Sequence, residues 1–100
     1  MIKHIVIWKF KETADGYSKE ENMNRVKESL LALKGVVPEL LEIEVGRDFN
    51  GSPASFEMAL YTAFASKEDL ESYQIHPEHE KVKDLIGPLT RERAVVDYEV

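Results

Sequence analysis

Residues 2–11 alternate with a period of two. Ile2, His4, Val6, Trp8 and Phe10 fall on one side of an extended chain, and Lys3, Ile5, Ile7 and Lys9 on the other. That period belongs to a strand rather than a helix. The constraint lies in the two sides. One is almost wholly apolar, and the other carries Ile5 and Ile7 at its middle, so this strand needs covering on both faces.

The rest of the chain supplies the cover. A loop over residues 12–17 leads to Ser18-Lys19-Glu20-Glu21, which reads as a capping box. Met23, Val26, Leu30, Leu33 and Val37 then recur at helical spacing, with Gly35 as a C-terminal stop and Pro38 as a break. Leu41, Ile43 and Val45 alternate with Glu42, Glu44 and Gly46 as a second strand. The turn Asn50-Gly51-Ser52-Pro53 introduces a third, with Phe56, Met58, Leu60, Thr62 and Phe64 on one side. Ser66-Lys67-Glu68-Asp69 caps a short helix ending near Tyr73, and Pro77 opens another that runs to about Ile86 and stops at Gly87-Pro88. The last strand is Arg93 to Val100.

No repeat or linker interrupts this order, so residues 1–100 read as one domain. Strand, helix, strand, strand, helix, strand is the split βαβ arrangement of ferredoxin-like α+β folds: a four-stranded antiparallel sheet with helices on one face. The opposite face carries Ile5, Ile7, Ala59, Tyr61 and Ala63, with Val96, Tyr98 and Val100. That is a large apolar area for so small a protein, and a second copy laid face to face covers it. A homodimer is therefore expected.

Composition excludes several function classes. A formal net charge of -6 with a pI near 5.0 argues against a nucleic-acid partner, which needs a basic face. The absence of cysteine removes disulfides, thiolate metal sites and cysteine nucleophiles. The apolar run Ile5-Val6-Ile7-Trp8 is too short for a signal peptide or a membrane span. A cytoplasmic protein with no membrane partner is expected.

The chemistry concentrates in Tyr73-Gln74-Ile75-His76-Pro77-Glu78-His79. Pro77 pushes His76 into an extended link. His79 falls in the first turn of the next helix, on a stripe with Val82 and Ile86 that faces the sheet. His4 shares the strand side of Val6 and Trp8, so His4, Tyr73 and His79 are expected to line one cavity between sheet and helices. Burial and a helix N-terminus both favour a neutral His79, fit to act as a general base or a hydrogen-bond acceptor. The same placement also fits core polar groups satisfied by one another or by backbone. His76, His79, His4, Glu78 and Glu80 are metal-ligand types, but Pro77 separates His76 from the others and no third ligand has suitable spacing. No metal or cofactor is expected. Ser18 and Ser66 read as helix caps, no glycine-rich phosphate loop is present, and Asp97 reads as an edge residue of the last strand.

Lys3-His4, Lys9-Phe10-Lys11, Pro38, Gly46-Arg47-Asp48, Phe64, Tyr73, His76-Pro77, His79 and Asp97-Tyr98, in this order and spacing, resemble the stress-responsive A/B barrel family almost end to end. The resemblance implies a dimeric α+β barrel with a pocket in each subunit. Within the family the pattern is similar to that of a plant polyketide cyclase. It implies that Tyr73 and His79 match a catalytic pair in which the histidine is base for a C2–C7 aldol closure, and that His4 lines the same pocket. The pocket departs from that enzyme: a first-helix tyrosine corresponds to Leu30, a bulky aromatic to Thr90 and an apolar wall residue to Arg93. Relatives that keep the histidine pattern include proteins with no assigned reaction, and some hold a hard cation on main-chain carbonyls near the positions of Val36 and Val37. The resulting expectation is a largely apolar pocket for a small hydrophobic or aromatic ligand, lined by His4, Val6, Trp8, Leu30, Leu60, His76 and Val82. The alternative is a cyclase-like lyase using Tyr73 and His79. Haem degradation, known in other ferredoxin-like dimers, lacks here the combination of an axial histidine and polar partners that those enzymes use.

Overall fold

The alternation at the start of the chain becomes β1 (Ile2–Phe10) in the computed structural model, which describes residues 1–100. Its even-numbered residues are all buried and its odd-numbered ones half-buried. β5 (Met58–Phe64) pairs along one edge and β6 (Thr90–Glu99) along the other, while β4 (Glu42–Arg47) pairs with the outer edge of β5. The sheet order is β4-β5-β1-β6, and every pair is antiparallel. Helices α1 (Lys19–Leu31), α2 (Lys67–Gln74) and α3 (Pro77–Ile86) pack on the face that carries the even residues of β1. This is the expected ferredoxin-like α+β fold.

The core forms where those side chains meet. Val6, Trp8 and Phe10 interleave with Met58, Leu60 and Phe64 of β5, and Met23, Val26 and Leu30 of α1 close over them. α1 starts where its cap dictates. Ser18 Oγ accepts from the Glu21 N–H at 3.2 Å, and the Glu21 carboxylate accepts from the Ser18 N–H at 3.1 Å. The helix ends at Leu31, so Leu33 and Val37 are buried in the turns that follow it rather than in its stripe. Gly35 makes that exit with a φ of +82°, which glycine adopts without strain.

Three further features differ from the sequence reading. The loop over residues 12–17 is a small ribbon, β2 (Thr13–Ala14) and β3 (Tyr17–Ser18), turned by Asp15 (φ 55°) and Gly16 (φ 80°). Asp-Gly with two positive φ values is the favoured two-residue hairpin turn. The last strand starts at Thr90, because a single 3-10 turn at Gly87–Leu89 reverses the chain within three residues and brings Thr90 opposite Phe10. Val100 lies beyond the strand end.

The second face of the sheet carries Ile5 and Ile7 flanked in register by Tyr61 and Val96, and by Ala59 and Ala94. Val96 and Tyr98 are 54% and 46% exposed within one chain. Ala63 faces the same way by register but is fully buried, between Lys3 and Glu42. The helices leave β6 bare: apart from Thr90, each of its residues is exposed. No helix is long and apolar enough to cross a membrane.

The capping box makes a local prediction. Ser18→Ala should lower stability by about 1 kcal/mol in chemical denaturation without changing the far-UV spectrum. A variant as stable as the parent would contradict the assigned helix start.

Candidate functional site

α3 positions the first functional side chain. Pro77 supplies its first residue, and His76 caps it, with Nδ1 accepting the Glu78 N–H at 3.1 Å. His79 therefore sits in the first turn and points inward, 6% exposed. Its Nδ1–H donates to the Gln74 carbonyl at 3.3 Å, which leaves Nε2 as a free acceptor on a neutral ring. Burial pushes the His79 pKa down to about 4; Lys83 and His4 add to that shift, while the Gln74 carbonyl and Glu80 oppose it.

Tyr73, fully buried, backs this imidazole. The ring centroids are 4.1 Å apart with planes 33° from parallel. On its other sides Tyr73 meets Phe64 at 5.0 Å and the edge of His4 at 6.3 Å. Its hydroxyl has no hydrogen-bond partner in the protein, and burial holds the phenol above its ordinary pKa. Tyr73 thus sets the plane of His79 from behind rather than forming cavity wall.

His4, 2% exposed, comes from β1, and its Nδ1 bonds to the Asp97 carboxylate of β6. The two residues are direct cross-strand partners. Sequence reading leaves Asp97 as an edge residue because only the register of first and last strands pairs it with His4. The bond fixes the His4 ring, with Nε2 as the free nitrogen.

Between these imidazoles lies a cavity of about 160 Å³. His4, Val6 and Trp8 form its sheet wall, and Leu30, His79 and Ile86 its helix wall. Gln74, Lys83, Thr90 and Arg93 stand around it as well. His4, Val6, Trp8, Leu30 and His79 are thus where the sequence reading places them. Leu30, Thr90 and Arg93, the three departures from the cyclase pattern, all border the cavity.

Besides Tyr73, three expected lining residues do not reach it. Leu60 is core on β5, whereas the cavity lies against β1 and β6. His76 is held at the helix cap, where Pro77 keeps it in extended backbone. Val82 faces α1, beside Leu33 and Val36. The helical period explains the last error: at 100° per residue, Lys83 and Ile86 share the azimuth of His79 to within about 40°, while Val82 is rotated by about 60° toward α1. Gln74 and Lys83 are missed because each looks like an ordinary exposed helix residue. No group of three or more His, Asp or Glu side chains is placed to hold a metal ion.

A four-stranded antiparallel sheet with helices on one face, enclosing paired histidines under them, defines a ferredoxin-like α+β protein with a small internal pocket. The chain belongs to the stress responsive A/B barrel domain family, whose model matches residues 2–100. It is 31% identical over 99 residues to a stress-response A/B barrel domain-containing protein of Arabidopsis thaliana; the match takes in 98% of this chain and spans 36% of that relative's length. Among solved structures it is similar to a dimeric ferredoxin-like protein of unknown function from Bacteroides fragilis, with a TM-score of 0.86 and 33% identity over 99% of this chain and 95% of that one. It also shares its fold with a hydroxynitrile lyase from Passiflora edulis, with a TM-score of 0.83 and 21% identity over 97% of this chain and 90% of that one.

The depressed pKa has a signed consequence. A histidine that titrates near 4 when folded and 6.5 when unfolded binds its proton more readily unfolded. Its contribution to stability is whole above pH 6.5 and is lost as pH falls toward about 4. His79→Gln should flatten stability against pH in that window, and the His79 ring should titrate near 4 by NMR. A midpoint at or above 6.5 would contradict the buried neutral assignment.

Proposed function

We propose that this protein is a homodimer in which each subunit holds a small hydrophobic or aromatic ligand in the pocket between sheet and helices. The observation that carries this reading is the cavity itself. It has apolar walls from Val6, Trp8, Leu30 and Ile86, and two imidazoles whose bonded Nδ1 atoms leave Nε2 free. Its volume of about 160 Å³ suits one ring with a short substituent. A ligand hydroxyl donates to a free imidazole nitrogen, and the ring of the ligand fills the apolar space. The dimer is supported by the apolar second face of the sheet and by the dimeric relative from Bacteroides fragilis.

A second reading makes the pocket a lyase site, favoured by the neutral His79. Nε2 takes a proton from a carbon next to a ligand carbonyl. The resulting enolate carbon attacks a second carbonyl of the same ligand, one carbon–carbon bond forms, and the new alkoxide takes the proton back. Tyr73 acts through His79, holding the plane of the ring. This is the aldol closure that the cyclase resemblance implies, applied to a substrate shaped for Leu30, Thr90 and Arg93.

Trp8, the single tryptophan, is part of the wall and reports binding by its own fluorescence. Small aromatic alcohols and ketones should shift or quench it saturably, and Leu30→Phe should weaken the response by filling part of the cavity. No saturable response to any of them would remove the pocket reading. If ligands are turned over, His79→Ala should reduce the rate on the order of a hundredfold or more, and equal turnover by the variant would remove the lyase reading.

The dimer is tested separately. Ile7→Asp places a charge at the middle of the second face and should give monomer or insoluble protein by sedimentation velocity. A parent chain that stays monomeric at micromolar concentration would contradict the dimer.

A further inference from the structure

We propose that the ligand of this pocket is an acid: a small apolar or aromatic body carrying a carboxylate, whose charge Arg93 and Lys83 receive at the cavity mouth. The inference deepens the pocket reading above and rests on it. Both cations are exposed at the outer end of a cavity whose inner walls are apolar. Arg93 stands on β6 opposite Trp8, on the helix side of the sheet. Its guanidinium enters no ion pair or hydrogen bond within the chain, although acidic residues outnumber basic ones by 19 to 13. Lys83 comes from α3 on the other side of the mouth. It bonds to Glu80 at 2.9 Å and to the Gln74 carbonyl at 3.1 Å, so it is partly engaged and Arg93 is the freer partner.

The acidic side chains nearby are already committed. Asp97 is bound to His4, and Glu80 to Lys83. No acidic residue borders the cavity. Arg93 is therefore the charge at the mouth that no acidic side chain of the protein meets. A planar guanidinium with all its donors free matches a carboxylate in two parallel hydrogen bonds. Exposed at the mouth, neither cation needs to be buried uncompensated before ligand arrives.

The test compares 3-phenylpropanoate with 3-phenylpropanamide, a pair of nearly equal shape differing in charge, near neutral pH by calorimetry and Trp8 fluorescence. The acid should bind roughly tenfold more tightly than the amide at low salt, the size expected for hydrogen bonds to charged groups. Arg93→Gln should bring the two to within about threefold, Arg93→Gln with Lys83→Gln should make them equal, and added salt should weaken only the acid. Amide binding of the parent chain as tight as the acid's would overturn the anion proposal while leaving the apolar pocket in place. A preference for the acid that survives in the double variant would overturn it too. Failure of both compounds to bind would overturn this proposal and the pocket reading together.

Discussion

Everything in this molecule is hung on β1. Its two neighbours, β5 and β6, come from the middle and the end of the remaining chain, and pairing both to one strand sets the order of the sheet. Its even residues then have no choice but to form the floor of the core. His4 is one of them, so the same alternation that drives folding also delivers an imidazole beneath the helices. Apolar burial supplies the driving force, and the polar atom is tolerated because Asp97 answers it across the strand pair.

The uncovered strand is what turns a core into a pocket. Three short helices cover β1 and β5 but leave β6 bare, so the space under α3 stays open toward that edge. Pro77 sets where α3 begins, and that start decides which residues look into the gap. Two residues later, still in the first turn, His79 meets the Tyr73 ring and loses its water. Burial of a basic ring without an anionic partner explains why it stays neutral, and a neutral ring with one nitrogen bonded is an acceptor by default. The chemistry available to the site follows from helix phase and desolvation, not from a special motif.

Local signals were legible in the sequence. The capping box at Ser18, the serine cap at Ser66, Pro77 and the period of β1 each act within a few residues, and the structure follows them. The Asp15-Gly16 hairpin turn is equally local. What could not be read depends on contacts between distant segments. The His4–Asp97 bond needs the register of first and last strands. Arg93 and Lys83 converge only once β6 and α3 are placed. Val82 and His76 lie outside the cavity, and their place is not legible because sequence spacing gives a stripe but not its azimuth, and because a histidine next to proline serves equally well as a cap. The comparisons with known proteins reach the family and the fold; the role of the pocket rests on its geometry.

The three histidines provide the most direct test of that geometry, because two lie in the cavity and the third caps a helix outside it. With 15N-labelled histidine, the imidazole resonances can be followed while a small aromatic acid such as 3-phenylpropanoate is added near neutral pH. His79 and His4 should shift together and saturably as the ligand ring enters the cavity, while His76 stays in place. A shift at His76 with His79 and His4 unmoved would contradict it.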